Sequence, residues 1–189
     1  MKSGLLLPVL LAVTLTGCDS DTPSGTLPAC WVPGRGHWTA SAPGGREIFR
    51  QDQAVPDWAV LLRDGEHAGG HRAQVRFRPI SGKEDASGGL ILLAQGPDDY
   101  YLCRANALEG NFRLYFVKGN RRVQLETVAV APPALGTWHV LSLAVNGGVL
   151  RGSLDGRELL VHRMDSATEP AWTSGRAGLW TKADSVTEF

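Results

Sequence analysis

The sequence predicts an all-β fold, a two-sheet antiparallel jelly-roll sandwich, and three observations predict it. Turn-forming residues recur about every 8 to 12 positions, the spacing of a sandwich or barrel. No stretch longer than about 10 residues keeps a helical period without meeting a Gly or Pro, of which the chain has 23 and 11. Between the breaks, apolar and polar side chains alternate with the two-residue period of a strand.

The first residues do not belong to that fold. Lys2 gives a positive start, residues 4–15 are apolar apart from Pro8 and Thr14, and Leu15-Thr16-Gly17-Cys18 follows. Such a run is shorter than the roughly 20 residues that span a bilayer as a helix, so residues 1–17 read as a removable export signal. The Leu-Thr-Gly-Cys quartet resembles the lipobox of bacterial lipoproteins. That resemblance implies that Cys18 is the acylated first residue of the mature chain, anchored in the membrane of the cell envelope. Asp19 resembles the signal for retention at the periplasmic face of the inner membrane, with the outer membrane as the alternative. A plain secretory signal with a chance cysteine is the simpler reading. Residues 18–45 are then a lipidated tether and lead-in. Positions 19–29 hold a single leucine among Asp, Ser, Thr, Pro and Gly, too little apolar surface to fold alone. Trp31 and Trp38 mark where the lead-in packs on the domain edge.

The sandwich itself is expected over residues 46–189. Positions 46–49 and 58–62 read as first strands. Residues 71–78 alternate, with Ala73, Val75 and Phe77 on one side and Arg72, Gln74, Arg76 and Arg78 on the other; Pro79 is expected to end the strand. Residues 88–125 read as a four-strand meander broken at Gln95-Gly96-Pro97-Asp98-Asp99, Glu109-Gly110-Asn111 and Lys118-Gly119-Asn120. Positions 89–94 are apolar on both faces, which suits a central strand. Further strands are expected at 123–130, 140–145, 149–154, 158–162, 175–182 and 186–189, with Asn146-Gly147-Gly148 and Asp155-Gly156 as hairpin turns.

Composition narrows the function. Lys plus Arg and Asp plus Glu both number 19, so no basic excess exists to hold nucleic acid by phosphate contacts. Arg121-Arg122 reads as a solvated strand end. Asp98, Asp99, Glu109 and Asp155 sit at turns, where an acid's ordinary role is turn formation, and Asp98-Asp99 falls short of the 6 to 8 oxygens about a calcium ion. His67 and His71 flank Ala68-Gly69-Gly70 without a third ligand, so no metal site is expected. His139 and His162 read as strand residues satisfied by neighbours. Gly152-Ser153-Leu154-Asp155-Gly156 is not a nucleophile elbow, and no phosphate loop or dinucleotide fingerprint occurs, so no cofactor is expected.

Gly88-Gly89-Leu90-Ile91, Asp98-Asp99-Tyr100-Tyr101-Leu102 and Arg104-Ala105-Asn106-Ala107-Leu108-Glu109 together resemble the bacterial branch of concanavalin A-like, laminin-G-like jelly rolls. Thr137-Trp138-His139, Leu154-Asp155-Gly156 and 178–186 resemble the same family's later strands. Some members are labelled 3-keto-disaccharide hydrolase domains, and members usually continue past the last Phe, here Phe189, with an acidic pair and a final strand. The superfold carries lectins, glycosidases and interaction modules alike. The Glu-x-Asp-x-x-Glu run of related glycosidases is absent, and no catalytic residue is assigned.

Strand parity leaves one polar face. In the meander, Tyr101, Cys103 and Ala105 point one way and Leu102, Arg104 and Asn106 the other; Phe112, Leu114 and Phe116 oppose Arg113 and Tyr115. Trp180 and Lys182 share a side of a late strand. Arg104, Asn106, Arg113, Tyr115, Trp180 and Lys182 are therefore the candidate ligand-binding residues, because planar donors beside an aromatic ring suit a sugar. An ordinary half-buried sheet face with Trp180 in the core is the plainer reading of the same pattern. The expected function is a non-catalytic, lipid-anchored envelope module that binds carbohydrate or a related ligand. A glycoside-cleaving enzyme and a structural or protein-interaction module are the alternatives. With Cys18 acylated, Cys30 and Cys103 remain either to pair as a disulfide or to leave Cys103 as a small buried hydrophobe.

Overall fold

The computed structural model describes residues 23–65 and 72–189, with backbone alone at 12–14, 67, 68 and 71. Apart from residues 12–14, the expectations for the export signal, and those for Cys18, Asp19 and the His67 and His71 imidazoles, lie outside the described residues. The chain is built from strands β1 (Ala12–Thr14), β2 (Trp31–Arg35), β3 (Trp38–Ser41), β4 (Ile48–Gln51), β5 (Trp58–Arg63), β6 (His67–Ala68), β7 (His71–Ser81) and β8 (Ser87–Gly96). It continues with β9 (Asp99–Asn106), β10 (Asn111–Lys118), β11 (Arg121–Ala129), β12 (His139–Asn146), β13 (Val149–Leu154), β14 (Arg157–Arg163), β15 (Ser174–Lys182) and β16 (Val186–Glu188). One 3-10 turn, Pro43–Gly45, is the only helical element among the described residues.

These strands form two facing sheets. The first has the order β14-β13-β12-β7-β16-β4-β3, with β1 parallel beside β7. The second has the order β11-β10-β9-β8-β15-β5-β2, with β6 on β15. Apart from β1, every pairing is antiparallel, and runs of hairpins, β8–β11 in one sheet and β12–β14 in the other, are joined by crossings from sheet to sheet, as in a jelly roll. Ala73, Val75 and Phe77 of β7 meet Tyr101, Cys103, Ala105, Phe112, Leu114 and Phe116 in one apolar layer between the sheets. The alternation in the sequence thus becomes the inside and outside of the sandwich.

Three expectations change. The lead-in is part of the sandwich: β2 and β3 are edge strands, one in each sheet, because Trp31 and Trp38 bury their rings against Phe49 and Phe189. Pro79 does not end β7, which runs to Ser81; the proline sits at a bulge opposite Thr187, where a ladder tolerates a missing donor. Cys30 and Cys103 do not pair, and Cys103 is a free, fully buried thiol. Three strands, β8, β15 and β5, separate β9 from β2, which begins just after Cys30. A disulfide needs about 4.4 to 6.8 Å between Cα atoms. Burial pushes the Cys103 thiol up to about 12, so it stays protonated and acts as a small apolar filler.

Candidate functional site

The outer face of the second sheet collects the sequence-predicted residues. Register sets them in rows: Arg113 lies opposite Arg104, Arg104 opposite Gly89, Gly89 opposite Trp180, and Trp180 opposite Val60. Tyr115 pairs with Leu102, and Asn111 with Asn106. Lys182, two positions beyond Trp180, keeps its side of β15. All six candidates, Arg104, Asn106, Arg113, Tyr115, Trp180 and Lys182, therefore occupy one face.

That face is concave because the sheet curls on itself. Arg35, on edge strand β2, donates to Asp98 in the β8–β9 turn and to Asn120 in the β10–β11 turn, the latter at 2.6 Å. A side chain on one edge reaches turns near the other only if the strands between them coil strongly.

The curl divides the face in two. In the closed half, Trp58 and Trp180 lie 6.4 Å apart between centroids, and the Arg122 guanidinium caps both. Its carbon is 5.7 Å from the Trp58 ring, 4.8 Å from Tyr115 and 5.8 Å from Trp180, in cation–π range. Arg122 is thus no solvated strand end. Trp180 is 0% exposed and offers no open ring for stacking.

The open half centres on Glu109. Its Oε2 accepts from Arg104 at 3.0 Å and from Asn111 at 2.7 Å, and lies 3.0 Å from Arg113. Two guanidiniums directly across a ladder would repel, and this carboxylate between them is what lets them share a row. Burial opposes charge on Glu109, but bonds from Asn111 and Arg104 and the charges of Arg104 and Arg113 more than offset it, lowering its pKa to about 2. Burial likewise opposes charge on Arg104, and Tyr115, Asp85 and Glu109 outweigh it, so its pKa is raised.

Asp85 is the second acid of this half. Its loop is fixed from below by Asp184, whose carboxylate accepts from the backbone N–H groups of Lys83, Glu84 and Asp85 at 2.7, 3.0 and 3.0 Å. Asp85 is fully buried, accepts from Ser185 Oγ at 3.2 Å, and has Lys182 Nζ 3.8 Å from its other oxygen. Sequence reasoning missed Asp85, Arg35, Trp58 and Arg122, and read Glu109 as a turn former. Glu109 does lie in a turn, held by the Asn106 side chain, yet the same turn aims it back over β9 and β10.

Several buried polar atoms here have no hydrogen-bond partner in the protein: Arg104 Nε and Nη1, Asn106 Nδ2, Asn111 Oδ1, Ser87 Oγ and Asp85 Oδ2. Buried polar atoms nearly always have a partner, whether protein, water or ligand; these are enclosed, and the side chains of the open half that reach solvent are Arg113, Lys182 and Glu109, each about a third exposed. A separate cavity of about 350 Å³ lies between the β12–β13 turn and the loop before β15, lined by Val145, Asn146, Met164, Pro170 and Trp172 among others. No charged group lines it.

No protein-family model matches the chain, and no curated protein matches it in sequence. Solved structures do match. The chain is similar to the carbohydrate-binding module CBM66 from Bacillus subtilis, with TM-score 0.69, 12% identity and 94% of each chain covered. It is also similar to the potassium-bound carbohydrate recognition domain of Emp46p, with TM-score 0.60, 12% identity and 85% of each chain covered. A Bacillus licheniformis beta-glucanase matches with TM-score 0.58 and 10% identity, over 89% of this chain and 95% of that one. At such identities the likeness is one of fold, a two-sheet antiparallel jelly roll.

Proposed function

We propose that the protein is a non-catalytic carbohydrate-binding module whose ligand sits on the concave face of the second sheet, at its Glu109 end. The observation that carries the reading is the group of partly exposed planar and charged side chains, Arg113, Lys182 and Glu109, held over the buried Arg104 on one concave face. A saccharide supplies hydroxyls that donate and accept in fixed directions, which suits exposed donors (Arg113, Lys182) set beside an acceptor (Glu109). The carbohydrate-binding neighbours support the reading through their shared architecture. A glycan array compares the mature chain with Arg113→Ala, Lys182→Ala and Arg104→Ala. Loss of signal in Arg113→Ala with an unchanged circular dichroism spectrum is expected; equal binding by all four proteins removes this face from the site.

Asp85 and Glu109 are two carboxylates whose charges both act on Arg104, and they are what favours the glycoside-cleaving alternative implied by the resemblance to 3-keto-disaccharide hydrolase domains. Cleavage needs one carboxylic acid kept protonated near neutral pH. Glu109, ionised down to about 2, does not serve as that acid. Glycan bound without release of reducing ends is the expected result, and Glu109-dependent release would overturn it.

Lipid anchoring through Cys18 belongs to the same proposal and rests on the Leu-Thr-Gly-Cys sequence. Mass spectrometry of the native protein is expected to show a diacylated or triacylated N-terminal Cys18 peptide. Recovery of Cys18 with an unmodified sulfur, or in a disulfide, rejects the anchor.

A further inference from the structure

We infer that the saccharide bound on the concave face is acidic, its ring carrying a carboxylate or sulfate group; the inference rests on the binding reading above and names the ligand class. Arg35, Arg104, Arg113, Arg122 and Lys182 face this surface, against Asp85, Asp98 and Glu109. Asp98 is paired with Arg35, and Asp85 has Lys182 nearby. Glu109 alone serves both Arg104 and Arg113, 3.0 Å from each. Arg122 has no carboxylate within ion-pair distance among the described residues and rests on aromatic rings instead. Two positive charges are therefore left without their own counter-charge in a partly desolvated hollow.

The cations a ligand can reach have the same sign preference. Arg104 is 1% exposed and acts through its charge, whereas Arg113 and Lys182 keep 29% and 33% of their side chains exposed. Guanidinium N–H groups match the two oxygens of a carboxylate, or of a sulfate edge, in a forked geometry. Tyr115 links the two arginines: Arg104 is 5.9 Å from its ring and Arg122 is 4.8 Å from it. Its hydroxyl is 3.5 Å from both Arg104 and Arg113. A neutral sugar would satisfy donors singly and leave the charge excess in place. An acidic one neutralises it, which in low dielectric is worth more than in water.

Arginines also line the opposite sheet, where Arg72, Arg76 and Arg151 are exposed, so the test must separate two basic surfaces. Full-length mature protein is titrated with hexa-galacturonate, with a chondroitin sulfate hexasaccharide, and with each oligomer after carboxyl reduction or desulfation. At least one acidic oligomer is expected to bind ten-fold or more tightly than its neutralised form. Arg113→Gln and Arg122→Gln are expected to abolish that preference, and Arg72→Gln to keep it. Equal affinity for an acidic oligomer and its neutral form sinks the acidic class while leaving the concave site standing. A preference that follows Arg72 rather than Arg113 and Arg122 moves the anion to the other sheet and overturns the assignment. Failure of every oligomer to bind overturns both the class and the carbohydrate reading.

Discussion

His162 shows what one side chain adds to a two-sheet fold. Its Nδ1 is 3.0 Å from Glu126 Oε1, and its Nε2 is 2.8 Å from Glu169 Oε1. Glu126 is on β11 of the second sheet and His162 on β14 of the first, so the imidazole fastens the sandwich at one edge. Burial opposes its charge, but the bonds to Glu126 and Glu169 and their charges outweigh it, raising the pKa above 6.5. The stability that this group adds is complete below the unfolded value of 6.5 and is lost as pH rises through the raised folded value. The thermal midpoint should therefore fall as pH rises above 6.5, and His162→Gln should flatten that part of the profile. A His162→Gln profile parallel to the parent's would assign the slope to other groups. The sequence correctly placed His162 on a strand with its polar atoms satisfied. Glu126 was not legible as a partner, because a contact between sheets leaves no trace in local spacing.

At the scale of elements, β8 shows which patterns are readable. Its apolar run implied a central strand, and β8 does lie between β9 and β15 in the second sheet. What the pattern did not show is that Gly88 is a contact point between sheets. A Cβ built there would lie 2.4 Å from Phe77 Cδ2 and 2.8 Å from Cγ, so the β7 ring rests directly on the glycine backbone. Gly88→Ala must displace a buried aromatic ring rather than a mobile chain end. Overpacking of this kind costs about 1–3 kcal/mol, and the urea midpoint should drop with the m-value unchanged. An unaltered midpoint would mean that Phe77 has room to shift. The parities of β9 and β10 were legible for a simpler reason: a two-residue period survives any twist or curl. Arg104, Asn106, Arg113 and Tyr115 consequently fell on the expected side, whereas Asp85, carried by a loop whose path Asp184 fixes about 100 residues away, had no period to betray it.

The curl of the second sheet belongs to the whole molecule, and it decides how much of the concave face a ligand can reach. Sequence patterns specify faces, and they do not specify how far a sheet coils. The six residues therefore read in sequence either as an open surface or as a plain sheet face with Trp180 in the core, and for Trp180 the second holds, because the folded chain buries it under Arg122. Among the described residues, Arg35 is the side chain that bridges from β2 to the turns at 98 and 120, and its guanidinium is 6.0 Å from the Trp58 ring. Its removal leaves the inter-sheet core intact, because that core lies on the other side of β5 and β15. Arg35→Ala should thus cost little global stability, on the order of 1 kcal/mol for a partly exposed pair. Its main effect should be local: faster backbone hydrogen exchange in residues 31–35 and 118–122, with exchange in β9 unchanged. Acrylamide should also quench tryptophan emission more strongly, since two of the chain's six tryptophans, Trp58 and Trp180, lie under this closure. If exchange at 118–122 does not change, strand coiling alone holds the face shut, and the arginine only decorates a shape that the backbone sets.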